Sequence, residues 1–174
     1  MTVRPREEME RLGFDVIYIK PKDIEKYNAC YRVEYRGQEI YPPVADELGI
    51  PMNEIWISER LKEFEKYILH HELQEIKHRA RGLDVKTAHE KALEDEKVFK
   101  GNPKWEKLKR EINLAPEEVL TGIKGVGKKI FETIMKNRPY HEMEELRDVP
   151  LVGLNIYERL KGETWSMYQN PAYK

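Results

Sequence analysis

Cysteine is almost missing: Cys30 stands alone in 174 residues. A single thiol excludes an internal disulfide and a cysteine-built zinc cluster, and it fits a reducing interior. Long apolar runs are missing as well. The first residues, MTVRPREEMERLGF, carry charges where a signal peptide carries an apolar stretch, so the expectation is a soluble cytoplasmic protein with no membrane contact. Nor is there an excess of either charge, with 31 Lys and Arg against 32 Asp and Glu and a net charge of −1. Residues 1–100 hold 18 basic against 21 acidic groups and the remainder 13 against 11. Neither half is a polybasic arm, and any contact with nucleic acid must be local.

The chain does have enough apolar residues, 40%, for one sizeable core or two small ones. Charged residues make up 36%, mostly Lys and Glu, a thermophile-like composition that fits a surface laced with ion pairs. Glu7 to Leu12 reads as a short helix stopped by Gly13, and FDVIYIK as a strand. YRVEYRGQEIY alternates apolar and polar residues around an RGQ turn, which predicts a hairpin or a bent strand pair. EIWIS is a short strand that feeds through Ser58 into a long helix ending at Gly82. Asp84 or Thr87 caps the next helix, which runs to about Phe99. GNPK at 101–104 marks a domain boundary, and everything after it is helical in pattern.

The long helix is the anomaly. At roughly 100° per residue, its apolar arc is Leu61, Phe64, Ile68, Leu69, Leu73, Ile76 and Ala80. Glu72 falls within that arc, and His71 and Glu75, one turn apart, fall at its edge. A carboxylate directed at a protein interior needs a partner, because a buried unpaired charge costs several kcal/mol, and a bound cation supplies one. His71 and Glu75 are spaced to share an ion. His89, on an apolar stripe of the following helix, completes a His₂Glu set with one open position, the form of a catalytic site. Glu72 is then placed to take a proton from water activated by the ion. On the same wheel His70 lies on the polar side and is expected to be solvated, and His78 lies outside the arc. Glu90 and Glu96 read as exposed or capping residues.

HELQE followed by AHEKA resembles the zincin-type metallopeptidases, which carry HExxH on a helix beside an edge strand, a place that EIWIS is suited to fill. It is still more similar to a small group of phage-associated metallopeptidase-like proteins with a strand, an HELxE helix and a G…AHxxA helix, matched by Gly82, Ala88, His89 and Ala92 over about residues 50–96. The resemblance implies a metal site at His71, Glu75 and His89 with Glu72 as the catalytic base. Zinc is the expected ion; Glu75 in place of the zincin His makes the site harder and leaves iron or manganese open.

Residues 113–161 resemble the tandem helix-hairpin-helix DNA-binding module of the ComEA type. The first copy has a glycine turn at Gly125, Val126 and Gly127, with Lys124, Lys128 and Lys129 around it. Glycines let the backbone approach a phosphate, and the helix that follows offers unpaired N–H groups, so the contact is with double-stranded DNA backbone and independent of sequence. The second copy, MEELRDVPLVGLNIYERLKG, keeps Gly153 but has Leu151 in place of the first glycine and lacks lysines in its turn. It is expected to complete the packed unit through Ile156, Tyr157 and Leu160.

The resulting expectation is an α+β protein. A small zincin-like strand-and-helix metal-binding domain fills residues 1–100, a linker helix 101–112, an all-α tandem helix-hairpin-helix domain 113–162 and a tail 163–174. The function implied is a DNA-associated metal-dependent hydrolase, a metallopeptidase acting on proteins near or on DNA. The alternatives are a non-catalytic DNA-binding protein with a structural metal site and a metal-dependent nuclease.

Overall fold

A computed structural model describes residues 2–24 and 27–169, and the chain divides into two compact units, Met1–Lys100 and Gly101–Lys174. The first unit is α+β. Helix α1 (Pro5–Arg11) ends at Gly13, whose φ of 88° suits a residue without a side chain. Strand β1 (Asp15–Ile19), helix α2 (Pro21–Ile24) and strands β2 (Ala29–Tyr35) and β3 (Gln38–Ile40) follow. β2 and β3 form an antiparallel hairpin through Arg36 and Gly37, both at positive φ, as a two-residue hairpin turn requires. Helix α3 (Val44–Leu48) then leads to β4 (Glu54–Ser58).

The sheet order is β1-β4-β2-β3, with β4 parallel to β1 and antiparallel to β2. EIWIS is therefore an interior strand, not the edge strand that the zincin resemblance implies. Its alternate residues explain why: Ile55 and Ile57 are fully buried on one face, and Trp56 packs on the other with Cys30, Ala45 and Ile50, a two-sided burial that edge strands rarely have. Tyr31 is paired with Ile55, so it shares that strand's inner face.

A 3₁₀ turn, Glu59–Phe64, precedes helix α4 (Glu65–Ala80). The wheel drawn as one continuous helix from Leu61 is thus wrong for its first turn, although Leu61 and Phe64 are buried as expected. Helix α5 (Val85–Asp95) starts at Asp84, whose carboxylate accepts the Thr87 N–H at 2.7 Å, and a 3₁₀ turn, Glu96–Phe99, extends it. The turn at Gly82 is tight and Ala88 and Ala92 are small and fully buried, so α5 packs closely along α4. α4 consequently lies between the sheet on one side and α5 on the other, with Tyr67, Leu69, His70, Leu73, Glu75, Ile76 and His78 all buried.

The second unit is helical. It contains α6 (Pro103–Lys109), α7 (Glu117–Thr121), α8 (Lys128–Lys136), a 3₁₀ turn at Met143–Asp148 and α9 (Leu154–Glu163). Leu120, Ile123, Val126, Phe131 and Ile134 of the first copy meet Leu146, Val149, Val152, Tyr157 and Leu160 of the second in one core. Each pair occupies equivalent places in the two copies. Asn113 ties the starts of the copies together, accepting the Tyr140 N–H and donating to the Tyr140 carbonyl at 3.0 Å. The first part of the tail is ordered by docking: Trp165 donates its indole N–H to the Lys107 carbonyl at 2.7 Å, and the fully buried Glu111 accepts the Met167 N–H. Tail residues 170–174 lie outside the described residues. Among the described residues no helix is long and apolar enough to cross a membrane.

Candidate functional site

His71 and Glu75 stand one turn apart on α4, and the turn at Gly82 returns α5 so that His89 faces them. His71 Nε2 is 3.1 Å from His89 Nδ1 and 3.4 Å from Glu75 Oε2, and His89 Nδ1 is 3.3 Å from Glu75 Oε2. These three atoms form a nearly equilateral triangle. Donors held about 2.0–2.1 Å from a tetrahedral ion stand about 3.3 Å apart, and donors at right angles about 3.0 Å apart. The observed edges fit the tetrahedral face better, and two imidazoles with one carboxylate are a donor set that zinc accepts. The His71 and Glu75 side chains are only 12% and 8% exposed and that of His89 is 54% exposed, so the triangle has one wall in solvent.

The far atoms of the buried pair are also bonded. The Tyr31 hydroxyl donates to Glu75 Oε1 at 2.8 Å, leaving Oε2 for the triangle. His71 Nδ1 is 3.1 Å from Glu96 Oε2, and because an ionised carboxylate can only accept, Nδ1 carries the proton. Burial works against a charged His71, yet its bonds to Glu75 and Glu96 and the charge of Glu72 outweigh it and hold the ring protonated up to about 10. Burial likewise works against a charged Glu75, but the bonds from His71, His89 and Tyr31 keep it well below the usual carboxylate range. Glu72 is pushed the other way, raised first by burial and then by the charge of Glu75. Two carboxyls one turn apart are thus shifted in opposite directions, Glu75 toward the charged form and Glu72 toward the neutral one. Cys30 lies buried beneath, its thiol pushed up to about 12 by burial and then by the charge of Glu72, which makes it inert.

Among three neighbouring residues, His70 and Glu96 depart from expectation, and His78, outside the arc and a candidate only for a supporting contact, bonds to Asp95 rather than to a donor of the triangle. His70 is buried rather than solvated, its Nε2 3.3 Å from the Asp95 carbonyl and its ring edge-on to Phe99 at 5.0 Å. His78 pairs with Asp95 Oδ2 at 2.6 Å. Glu96 is 5% exposed and holds His71. One cause accounts for all three: α5 and its 3₁₀ extension cover the side of α4 that the helical wheel leaves polar. Glu90 is exposed.

In the second unit the two turns share a backbone. Gly125 has φ of 91° and its counterpart Leu151 φ of 73°, while Gly127 and Gly153 both start a helix in extended conformation with no side-chain cap. At Gly125 a Cβ would add to the positive φ a tight contact, 3.2 Å from Arg159 and 3.4 Å from Ile156. Lys124, Gly125, Gly127, Lys128, Lys129 and Gly153 are exposed, while Val126 is 4% exposed and belongs to the core. The corresponding exposed positions of the second turn are apolar, Leu151 and Leu154.

Sequence reasoning passed over Tyr31 and misplaced Glu96, which it read as exposed or capping although it is buried against His71. Tyr31 alternates with Val33 and Tyr35 on the buried face of a strand, where a hydroxyl needs an acceptor. Glu96 lies two turns beyond His89 on the same helical face. Comparison of the chain with known protein families, curated proteins and solved structures finds no match.

Proposed function

We propose that His71, Glu75 and His89 hold a divalent ion, zinc ahead of iron or manganese, and that the first unit is a peptidase-like hydrolase with Glu72 as its base. The observation that carries the reading is the donor triangle, with edges of 3.1, 3.3 and 3.4 Å; Glu72 stands on the same helix, its proton affinity raised by burial and then by the charge of Glu75. An ion in this donor set supplies charge stabilisation and a water whose pKa falls to about 7. The chain's own groups do the rest. His71 and Glu75 come from a buried helix and are held from behind, so the site needs no loop to order it. With an ion bound beside Glu75, Glu72 would be ionised and would take a proton from the water as its oxygen bonds to the carbonyl carbon, then pass that proton to the amine nitrogen as the C–N bond breaks. The exposed side at His89 is where a substrate carbonyl would enter.

A DNA-contacting second unit is part of the same reading, supported by the lysines that flank the Gly125 turn and by the uncapped start of α8. A hydrolase tethered to duplex DNA meets DNA-bound proteins at raised local concentration. Two histidines with one carboxylate favour a hydrolytic site with a single ion over a nuclease, whose ions sit among several carboxylates. The test is hydrolysis of a peptide and of a DNA-bound protein by zinc-supplemented wild type and Glu72→Gln. A hydrolytic activity reduced roughly 100-fold or more in the variant supports the reading. Equal rates on both substrates leave a DNA-binding protein with a structural ion.

A further inference from the structure

We propose that Glu96 is a positioning residue of the metal site, holding the Nδ1 proton of His71 and so fixing the ring orientation that turns Nε2, bare once an ion displaces its proton, toward Glu75 and His89. The inference rests on the metal-site reading above and adds to it a residue outside the donor set. His71 has two ring nitrogens and both are engaged: Nε2 lies in the donor triangle and Nδ1 lies 3.1 Å from Glu96 Oε2. An imidazole that offers a lone pair at Nε2 must keep its proton on Nδ1, and a proton there, 12% exposed on the side chain, needs an acceptor. Glu96 is that acceptor, with its own side chain 6% exposed.

The position of Glu96 is itself fixed. It opens the 3₁₀ turn that extends α5, two helical turns from His89 on the same face. One continuous element therefore delivers the third donor and the group that orients the first. Its neighbour Asp95 holds α4 at two further points, through the carbonyl to His70 at 3.3 Å and the carboxylate to His78 at 2.6 Å. These bonds to residues on either side of His71 tie α4 to the end of α5, where Glu96 stands. The arrangement parallels Glu75, whose rear oxygen is held by Tyr31. Both buried donors are braced from behind by a side chain of another element.

Substitution separates this role from its rivals. Glu96→Ala should weaken zinc binding about 10- to 100-fold in a chelator competition titration, with a helical circular dichroism spectrum matching wild type. Glu96→Gln should restore most of the affinity, because its amide oxygen accepts the same Nδ1 proton. Nitrogen-15 spectra of the histidine rings in zinc-loaded wild type should show His71 protonated at Nδ1 and bound through Nε2, a result that needs no variant to fold. The opposite tautomer overturns the proposal. So does Glu96→Ala that binds zinc as tightly as wild type, and so does Glu96→Gln that loses as much as Glu96→Ala, which makes Glu96 a ligand through its charge. A wild-type protein with no zinc site removes the underlying reading instead, and that outcome is distinct because it appears before any variant is made.

Discussion

His71 Nε2 and His89 Nδ1 stand 3.1 Å apart although the residues are 18 apart in sequence and lie on different helices. Two neutral imidazoles cannot both point lone pairs at one another at that distance; a proton or a cation must lie between them. Replacing His71, Glu75 or His89 by Ala should each lower zinc content well below that of wild type, while Glu72→Gln should retain it. Metal analysis of protein dialysed against zinc decides it, and unchanged content in all three Ala variants would reduce the triangle to a hydrogen-bond network.

Tyr31 supports the same ion from behind. Tyr31→Phe removes a hydrogen bond to a charged, buried carboxylate, which contributes about 1.5–3 kcal/mol, and lets Glu75 rotate away from the triangle. Zinc affinity should fall roughly tenfold or more on that basis, measured by chelator competition. No change would mean that Glu75 is placed by α4 alone.

The pH dependence of the metal-free protein has a defined sign. His71 is held protonated up to about 10 when folded, against about 6.5 in an unfolded chain, so its contribution is complete below about 6.5 and lost as pH rises through about 10. Glu72, raised by burial and Glu75, acts in the same direction, since the folded protein keeps a proton that the unfolded chain has released. Glu75, depressed by its partners, loses its contribution only as pH falls below the ordinary carboxylate range. In chelator, the melting temperature of the first unit should therefore decline from about 6.5 toward 10. With zinc the decline should be abolished, because binding displaces the His71 proton and gains affinity as pH rises. Thermal scans at several pH values, with and without zinc, test both curves, and parallel curves would contradict the assignment.

The two turns of the second unit give a pair of opposite expectations. Leu151 is 54% exposed at φ of 73°, so Leu151→Gly relieves a left-handed strain of about 1–2 kcal/mol with little packing sacrificed. The unit should melt higher, or no lower once the flexibility of glycine is counted. Gly125→Ala should destabilise it by a similar amount, having both positive φ and a Cβ only 3.2 Å from Arg159 and 3.4 Å from Ile156. Equal effects of the two substitutions would mean that the repeats do not share a turn.

Duplex DNA binding should centre on the Gly125 turn. Replacing Lys128 and Lys129 by Glu should weaken binding for every sequence and flatten the salt dependence by about one unit of log–log slope for each phosphate left without its lysine. Fluorescence anisotropy at several salt concentrations measures this. Wild type that fails to bind at low salt ends the DNA reading.

The sequence alone determined which residues offer metal donors and which lie next to one another along a helix. HELQE puts His71 and Glu75 on one side because helical geometry is local, and the period-two pattern of YRVEY marks a strand with Tyr31 on its buried face for the same reason. The repeat of apolar positions around Gly125 and Leu151 was legible because each copy must bury its own helices. What only tertiary structure decided is what stands opposite each of these groups. EIWIS became an interior strand because β1 and β2 pair on its two sides, a long-range choice that no local pattern carries. His70 and Glu96 are buried because α5 folds back onto the flank of α4 that its own wheel leaves polar. A helical wheel records how hydrophobic a face is; it does not record a second helix whose polar side chains satisfy that face in place of water.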